Sequence, residues 1–169
     1  MTDYDLTDIT PELLRRYDRP GPRYTSYPTA PQFSEGYDEV VYRQHLERAA
    51  ADHDQPLSMY VHIPFCEARC TYCGCNIVVA PHRGPEERYL DAVDAELELL
   101  AESLGRRRAV NQLHWGGGTP TYLTPRQCER LFRSIGDRFS LTPDAEVALE
   151  IDPCVTSMEH LEVLRGLGF

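Results

Sequence analysis

The chain has 169 residues, 41% of them hydrophobic and 26% charged, with a formal net charge of −10. That is enough for one domain with a real core. The acidic balance argues against a nucleic-acid partner, which needs a basic face, and no run of 18 apolar residues offers a membrane span. The first residues, MTDYDLTDIT, lack the basic-then-apolar order of a secretory leader, so a cytoplasmic protein is expected.

Residues 1–36 read as irregular, because Pro11, Pro20, Pro22, Pro28 and Pro31 interrupt any long element. Residues 38–51 read as a helix with Val41, His45, Leu46 and Ala49 on its inner face. Residues 57–62 (LSMYVH) form a short apolar run that suits a buried strand. Pro85 opens a helix carrying Tyr89, Val93, Leu97 and Leu100 at helical spacing through residue 103. Residues 110–115 are a second strand, ended by Gly116, Gly117 and Gly118. Thr124 and Gln127 make a capping box for a helix with Leu131, Phe132 and Ile135 inward. Residues 146–151 are a third strand, and Thr156 with Glu159 caps a last helix that Gly166 ends.

The expected fold class is α/β, with strand–helix units repeated from residue 57 and hence parallel strands under helices. Two parts are expected: an N-terminal extension with a helix over 1–54, and the β/α part over 55–169. A doubly wound sheet and a partial barrel both satisfy this pattern. The units are too few to close a barrel, and the chain stops at Gly168-Phe169 where another strand would begin. It is therefore expected to be part of a longer protein and inactive alone.

Of six cysteines, Cys66, Cys70, Cys73 and Cys75 are crowded into one loop after the first strand. Parallel α/β folds put their active sites at this end of the strands. The spacing Cys66-x3-Cys70-x2-Cys73 lets three thiolates hold three corners of a [4Fe–4S] cluster and leaves the fourth iron open, the mark of a reactive site. Structural zinc prefers two separated cysteine pairs, and a disulfide framework conflicts with a reducing compartment. A ferredoxin-type electron-transfer module normally has a further thiolate later in the chain. Whether Cys75 ligates stays open. Cys128 and Cys154 read as inert, buried or half-buried thiols. The glycine run allows close backbone approach to a ligand, although a tight strand-to-helix turn explains it equally. Glu150, at the third strand end, and Asp152 beyond it are carboxylates on the same side of the fold.

The Cys-x3-Cys-x2-Cys loop resembles that of the radical S-adenosylmethionine family. Tyr72 before Cys73, and Trp115-Gly-Gly-Gly-Thr-Pro120 after the second strand, agree with it. The order Tyr60-Val-His-Ile-Pro-Phe-Cys66 is shared in form by the coproporphyrinogen oxidases and the haem chaperones of that family. Cys73-Gly-Cys75-Asn76 and the segment Pro20-Gly-Pro-Arg-Tyr-Thr-Ser-Tyr-Pro-Thr29 favour the oxidases. The resemblance implies a partial (β/α) barrel with Cys66, Cys70 and Cys73 on the cluster and Cys75 off it. It also implies two molecules of S-adenosylmethionine, the first at Tyr60, Gly117 and Glu150 and the second at Tyr72, Gly118 and Thr119. The implied reaction is the oxygen-independent conversion of two propionates of coproporphyrinogen III to vinyl groups by a 5′-deoxyadenosyl radical. The partners would be the porphyrinogen, whose carboxylates Arg23 is placed to meet, and an electron donor. Neither nucleic acid nor membrane is implied, and a monomer is expected. His62 is expected either beside the cluster or as a satisfied strand-end histidine.

Overall fold

A computed structural model describes residues 10–18 and 32–169. The chain divides into two units, residues 1–38 and 39–169. In the first, helix α1 (Pro11–Tyr17) stands where an irregular segment was expected. Its signals are local: Pro11 fits the first helical position, and the Thr10 hydroxyl accepts from the Leu13 amide at 3.2 Å. Arg23 and the Pro20–Thr29 motif lie outside the described residues.

The second unit opens with α2 (Glu39–Ala51), which buries no residue fully. Leu46 and Ala49 rest against the core, whereas His45, expected on the inner face, is exposed. Strand β1 (Leu57–Ile63) follows, then the two-residue strands β2 (Phe65–Cys66) and β3 (Val78–Val79), helix α3 (Pro85–Leu104) and strand β4 (Ala109–Gly117). A 3₁₀ turn (Pro120–Tyr122) leads to α4 (Pro125–Gly136), β5 (Ser140–Leu149) and α5 (Met158–Leu167). The main sheet has the order β1-β4-β5, all parallel, as alternating strand–helix units require.

Register divides the sheet into two faces. Tyr60 pairs with His114 and Val61 with Trp115, so beyond the register shift that precedes Ser58 and Gln112 the even-numbered residues of β1 and β4 share one face and the odd-numbered residues the other. The odd face is the core: Val61, Ile63, Leu113 and Trp115 pack under Leu90, Leu97 and Ala101 of α3 and Leu131 and Ile135 of α4. Trp115 is fully enclosed, its ring 4.7 Å from that of Phe169. The even face carries Tyr60, His62 and His114, and it stays open.

Strand β4 runs on through Gly116 and Gly117 instead of ending before them, and three further boundaries differ from expectation. Strand β5 starts at Ser140 because Ala109 and Val110 pair with Ser140 and Leu141 before a register shift; pairing resumes at Gln112 and Glu146. Glu150 thus follows the strand, yet its amide still bonds the Trp115 carbonyl at 2.9 Å. Helix α5 is boxed by Ser157 and His160 rather than Thr156 and Glu159, because the Thr156 hydroxyl is engaged by the Asp152 carbonyl at 2.6 Å. Its end is Gly168, in the left-handed conformation, not Gly166. The Thr124–Gln127 box opens α4 as expected.

The outer helices join through charge. Arg130 bridges Glu87 (2.8 Å) and Asp91 (2.5 Å), and Arg138 bridges Asp94 (3.0 Å) and Glu98 (2.8 Å). At the opposite end of the sheet from the cysteines, Arg107 donates to the carbonyls of Ala49 (2.9 Å), Gln55 (2.9 Å) and Pro56 (3.3 Å), tying the end of α2 to the entry of β1.

Candidate metal centre and cofactor pocket

The cysteine segment is a loop closed on itself. Its two ends are held by the β2–β3 ladder, in which the Val78 amide donates to the Pro64 carbonyl and the Ala80 amide to the Cys66 carbonyl, both at 2.8 Å. Such short strands carry no sequence pattern, and this closure was not foreseen. Within the loop a turn from Cys70 to Cys73 (3.1 Å) brings those two residues together. Cys66 and Cys73 are half-buried, while Cys70 and Cys75 are exposed.

Cys66, Cys70, Cys73, Tyr72, Gly117, Gly118, Thr119 and Glu150 line one cavity of about 570 Å³. Among the described residues, the structure therefore gathers all the candidate cluster and cofactor ligands except Tyr60 around a single space at the strand ends. Among the described residues no three His, Cys, Asp or Glu side chains converge closely enough for a single metal ion. A cubane cluster asks for a different layout, with each thiolate on its own iron, and the spread of soft sulfur donors around one open cavity fits that requirement.

Cys75 also lines the cavity. Desolvation pushes its thiol up, and the neighbouring Cys73 adds to this. Cys128 is the inert thiol expected, with burial holding its pKa at about 12. Cys154 departs from expectation, being exposed and at the cavity wall.

The glycine run is explained first by packing. A Cβ on Gly118 would lie 2.6 Å from the Pro64 carbonyl oxygen, and its amide donates to the Ile63 carbonyl at 2.8 Å. Gly117 has φ of +116°, and a Cβ there would meet the His62 ring at 2.7 Å. The turn reading is thus accounted for, and the run, packed on the base of the cysteine loop, also lines the cavity. Next to it, Thr119 is buried, with its hydroxyl 3.4 Å from the Cys66 sulfur. With Cys66 as a thiolate, which has no proton to give, Thr119 is the donor.

Glu150 accepts from the Gly117 amide at 3.2 Å, and its other oxygen is 3.9 Å from His114 Nε2. Its carboxylate remains largely exposed toward the open face. Asp152 differs. Its carboxylate accepts from the Cys154 amide at 2.9 Å, and its carbonyl from Val155 and Thr156, so it shapes the loop.

Tyr60 lies beside the cavity, lining a groove with His62 and Tyr89. Its ring stacks on His114 at 5.9 Å and 11°. Burial, then the charge of Glu150, pushes its phenol up. His62 Nε2 is 2.9 Å from the Asn76 carbonyl and its Nδ1 is 3.1 Å from the Tyr60 hydroxyl. A carbonyl only accepts, so Nε2 carries the proton and Nδ1 accepts from Tyr60. His62 is thus a satisfied strand-end histidine that also ties the open face to the cysteine loop. Tyr89 donates to its carbonyl from α3. Sequence reasoning gave no place to this buttress.

The family model for the radical SAM superfamily matches residues 60–169. An oxygen-independent coproporphyrinogen III oxidase of Synechocystis is 40% identical over 168 residues, covering 99% of this chain and 36% of that relative. One from Escherichia coli is 43% identical over 167 residues, covering 99% and 35%. The chain thus spans about a third of the length of these relatives. A protein of the same name from Mannheimia haemolytica is 46% identical over 141 residues, which is 83% of this chain and 94% of that relative. A solved structure of the Escherichia coli coproporphyrinogen III oxidase, described as a radical SAM enzyme, agrees over 99% of this chain and 35% of that one. Its identity is 42% and its TM-score 0.77. The parallel sheet, its partial-barrel strand order and the cysteine loop together place this chain in the radical SAM superfamily, beside relatives named oxygen-independent coproporphyrinogen III oxidase.

Proposed function

We propose that this chain forms the cofactor-binding part of an oxygen-independent coproporphyrinogen III oxidase. Two propionates of the porphyrinogen become vinyl groups, each losing one hydrogen atom from the β-carbon, carbon dioxide and one further electron that passes to an acceptor. The observation that carries the reading is the single cavity shared by Cys66, Cys70, Cys73 and the strand-end groups Gly117 and Glu150.

Cys66, Cys70 and Cys73 would hold a [4Fe–4S] cluster, with Cys75 unligated. When bound, the cluster supplies the electron that cleaves S-adenosylmethionine and so generates the 5′-deoxyadenosyl radical. The residues around it bind and orient. The Glu150 carboxylate, fixed by the Gly117 amide, is a partner for a cofactor ammonium or hydroxyl group. The Tyr60 hydroxyl is aimed by His62. Tyr60, Gly117 and Glu150 would take a first S-adenosylmethionine. Tyr72, 87% exposed at the cavity mouth, would take a second with Gly118 and Thr119. Arg23 would meet a substrate carboxylate. A monomer in the cytoplasm, drawing on a separate electron donor, completes the reading. Among the described residues no helix is long and apolar enough to cross a membrane.

Anaerobic reconstitution tests the assignment. Iron and sulfide should be taken up in equal amounts, and S-adenosylmethionine should alter the electron paramagnetic resonance spectrum of the reduced protein. A cluster indifferent to S-adenosylmethionine would leave only an electron-transfer module. Tight haem binding without cofactor cleavage would point to a haem chaperone instead.

A further inference from the structure

We infer that Tyr122 is a positioning residue that clasps the cysteine loop shut, so that the glycine-run turn sets how firmly a cluster is held. The inference rests on reading the cavity as a cluster site.

Tyr122 closes the 3₁₀ turn after the glycine run, and it is 1% exposed. Its hydroxyl donates to the carbonyls of Ala80 (3.0 Å) and His82 (3.2 Å), where the cysteine loop returns. Ala80 is the residue whose amide holds the Cys66 carbonyl. On the other side, the Tyr122 ring packs on that of Phe65, next in sequence to Cys66, with centroids 5.5 Å apart. One side chain therefore grips both sides of the ladder that closes the loop, at Phe65 of β2 and at the residues just past β3. Arg83 lies over the ring at 4.3 Å and covers it from outside.

The same turn anchors the third loop of the site. A hydroxyl–hydroxyl bond of 2.8 Å joins Thr121 to Thr156, which in turn bonds the Asp152 carbonyl. His160 of α5 reaches the Leu123 carbonyl at 2.8 Å. Pro120, Thr121, Tyr122 and Leu123 are all enclosed. Polar groups in such a place are costly to leave unpaired, so these bonds select one arrangement of the loops. Tyr122 is the member that reaches the loop bearing the thiols.

The test uses the anaerobically reconstituted chain. Iron release to an excess of iron(II) chelator is timed, together with the thermal midpoint and the electron paramagnetic resonance line width. Tyr122→Phe keeps the ring and removes the hydroxyl. It should fill to the wild-type iron content, broaden the signal and release iron roughly tenfold faster, the equivalent of one buried hydrogen bond. Ser134→Ala, which removes the hydroxyl that α4 donates to Asp94 of α3, should release iron at the wild-type rate even where its thermal midpoint falls by as much. Arg83→Leu removes the half-exposed cover together with a 3.9 Å ion pair to Glu67 of the cysteine loop; Glu67→Gln, which removes the ion pair alone, should release iron at the wild-type rate, and Arg83→Leu should exceed it by about two- to fivefold. Release from both Tyr122→Phe and Arg83→Leu at the wild-type rate overturns the inference, as does an equal acceleration in Ser134→Ala. Should Tyr122→Phe not fold, Arg83→Leu decides alone. A wild-type chain that takes up no iron sinks the cluster assignment and the clasp with it. A wild-type chain that holds iron no better than its variants do sinks the clasp alone.

Discussion

Helices α3 and α4 meet along a row of ion pairs whose acidic partners are exposed, whereas the three loops at the strand ends meet through enclosed, mostly uncharged hydrogen bonds. The two devices tolerate error differently. Exposed pairs gain little and are screened, so a lost partner is replaced by water. Enclosed donors and acceptors have no such substitute, and each one fixes a geometry. The fold thus places its forgiving contacts on the outside and its exacting ones where reactive groups must be held.

The sharpest way to break this contrast is at the thiols. Ser in place of Cys66, Cys70 or Cys73, one at a time, should reduce reconstituted iron to near background, while Cys75→Ser should keep it; iron and sulfide assays read this directly. Equal loss in all four variants would make Cys75 a ligand. Next in size is Gly118→Ala, whose Cβ would meet backbone oxygens of Pro64 and Phe65 at 2.6 and 2.8 Å. It should cost about 3 kcal/mol, the upper end of overpacking. Gly116→Ala meets only movable side chains of Tyr60 and Glu150 at 3.0 Å or more and should cost about 1 kcal/mol. Thermal denaturation orders the pair, and similar values for both would deny that the glycine run is packed against rigid backbone.

Thr119→Val removes the hydroxyl beside the Cys66 sulfur. A hydrogen bond to a ligating sulfur favours the reduced, more negative cluster. Its loss, about 1 kcal/mol, should lower the midpoint potential by roughly 40 mV in a redox titration. An unchanged potential would mean that Thr119 does not donate there.

The seam should respond least. Arg138→Ala, losing two half-exposed partners, should cost about 1 kcal/mol in urea unfolding. Asp94 is held below the usual carboxylate range by the Ser134 hydroxyl, then by Arg138, against some desolvation. Its folded value is depressed, so its contribution is complete above the ordinary aspartate pKa of about 4 and fades as pH falls through the lower folded value. Solvent screening limits it to a few tenths of a kcal/mol. Stability measured from pH 6 to pH 2 should therefore fall slightly less steeply for Asp94→Asn than for the wild type. A steeper fall would reverse the sign argued here.

Much of this was legible in the residues. The strand–helix alternation, the Thr124–Gln127 cap and Pro85 at a helix start are local signals, and each has its structural counterpart. The inner stripe of α3 was read nearly right: Leu97 lies at its centre, while Leu90, Ala101 and Leu104 are buried more deeply than Tyr89, Val93 and Leu100. What escaped was set at a distance in sequence. Ser140 and Leu141 look like loop until Ala109 and Val110 pair with them. Thr156 looks like a cap until Asp152 and Thr121 engage its hydroxyl. Tyr122 looks like one more aromatic, although the stretch Thr-Pro-Thr-Tyr-Leu-Thr after a glycine run, polar yet aromatic, was a signal that a buried network sits there.

Because β2 and β3 already join the two ends of the cysteine segment, most of the chain entropy of closing that loop is lost when the protein folds rather than when metal arrives. Capturing a cluster then costs only the ordering of the few residues between the ends. Their tip can also vary in length without disturbing the ladder beneath. A segment of this kind behaves as a cassette: an insertion between Ala68 and Arg69 would spoil the spacing of Cys66 and Cys70 but should leave the fold standing, whereas one between Val79 and Ala80 should unfold the segment because the ladder itself would slip.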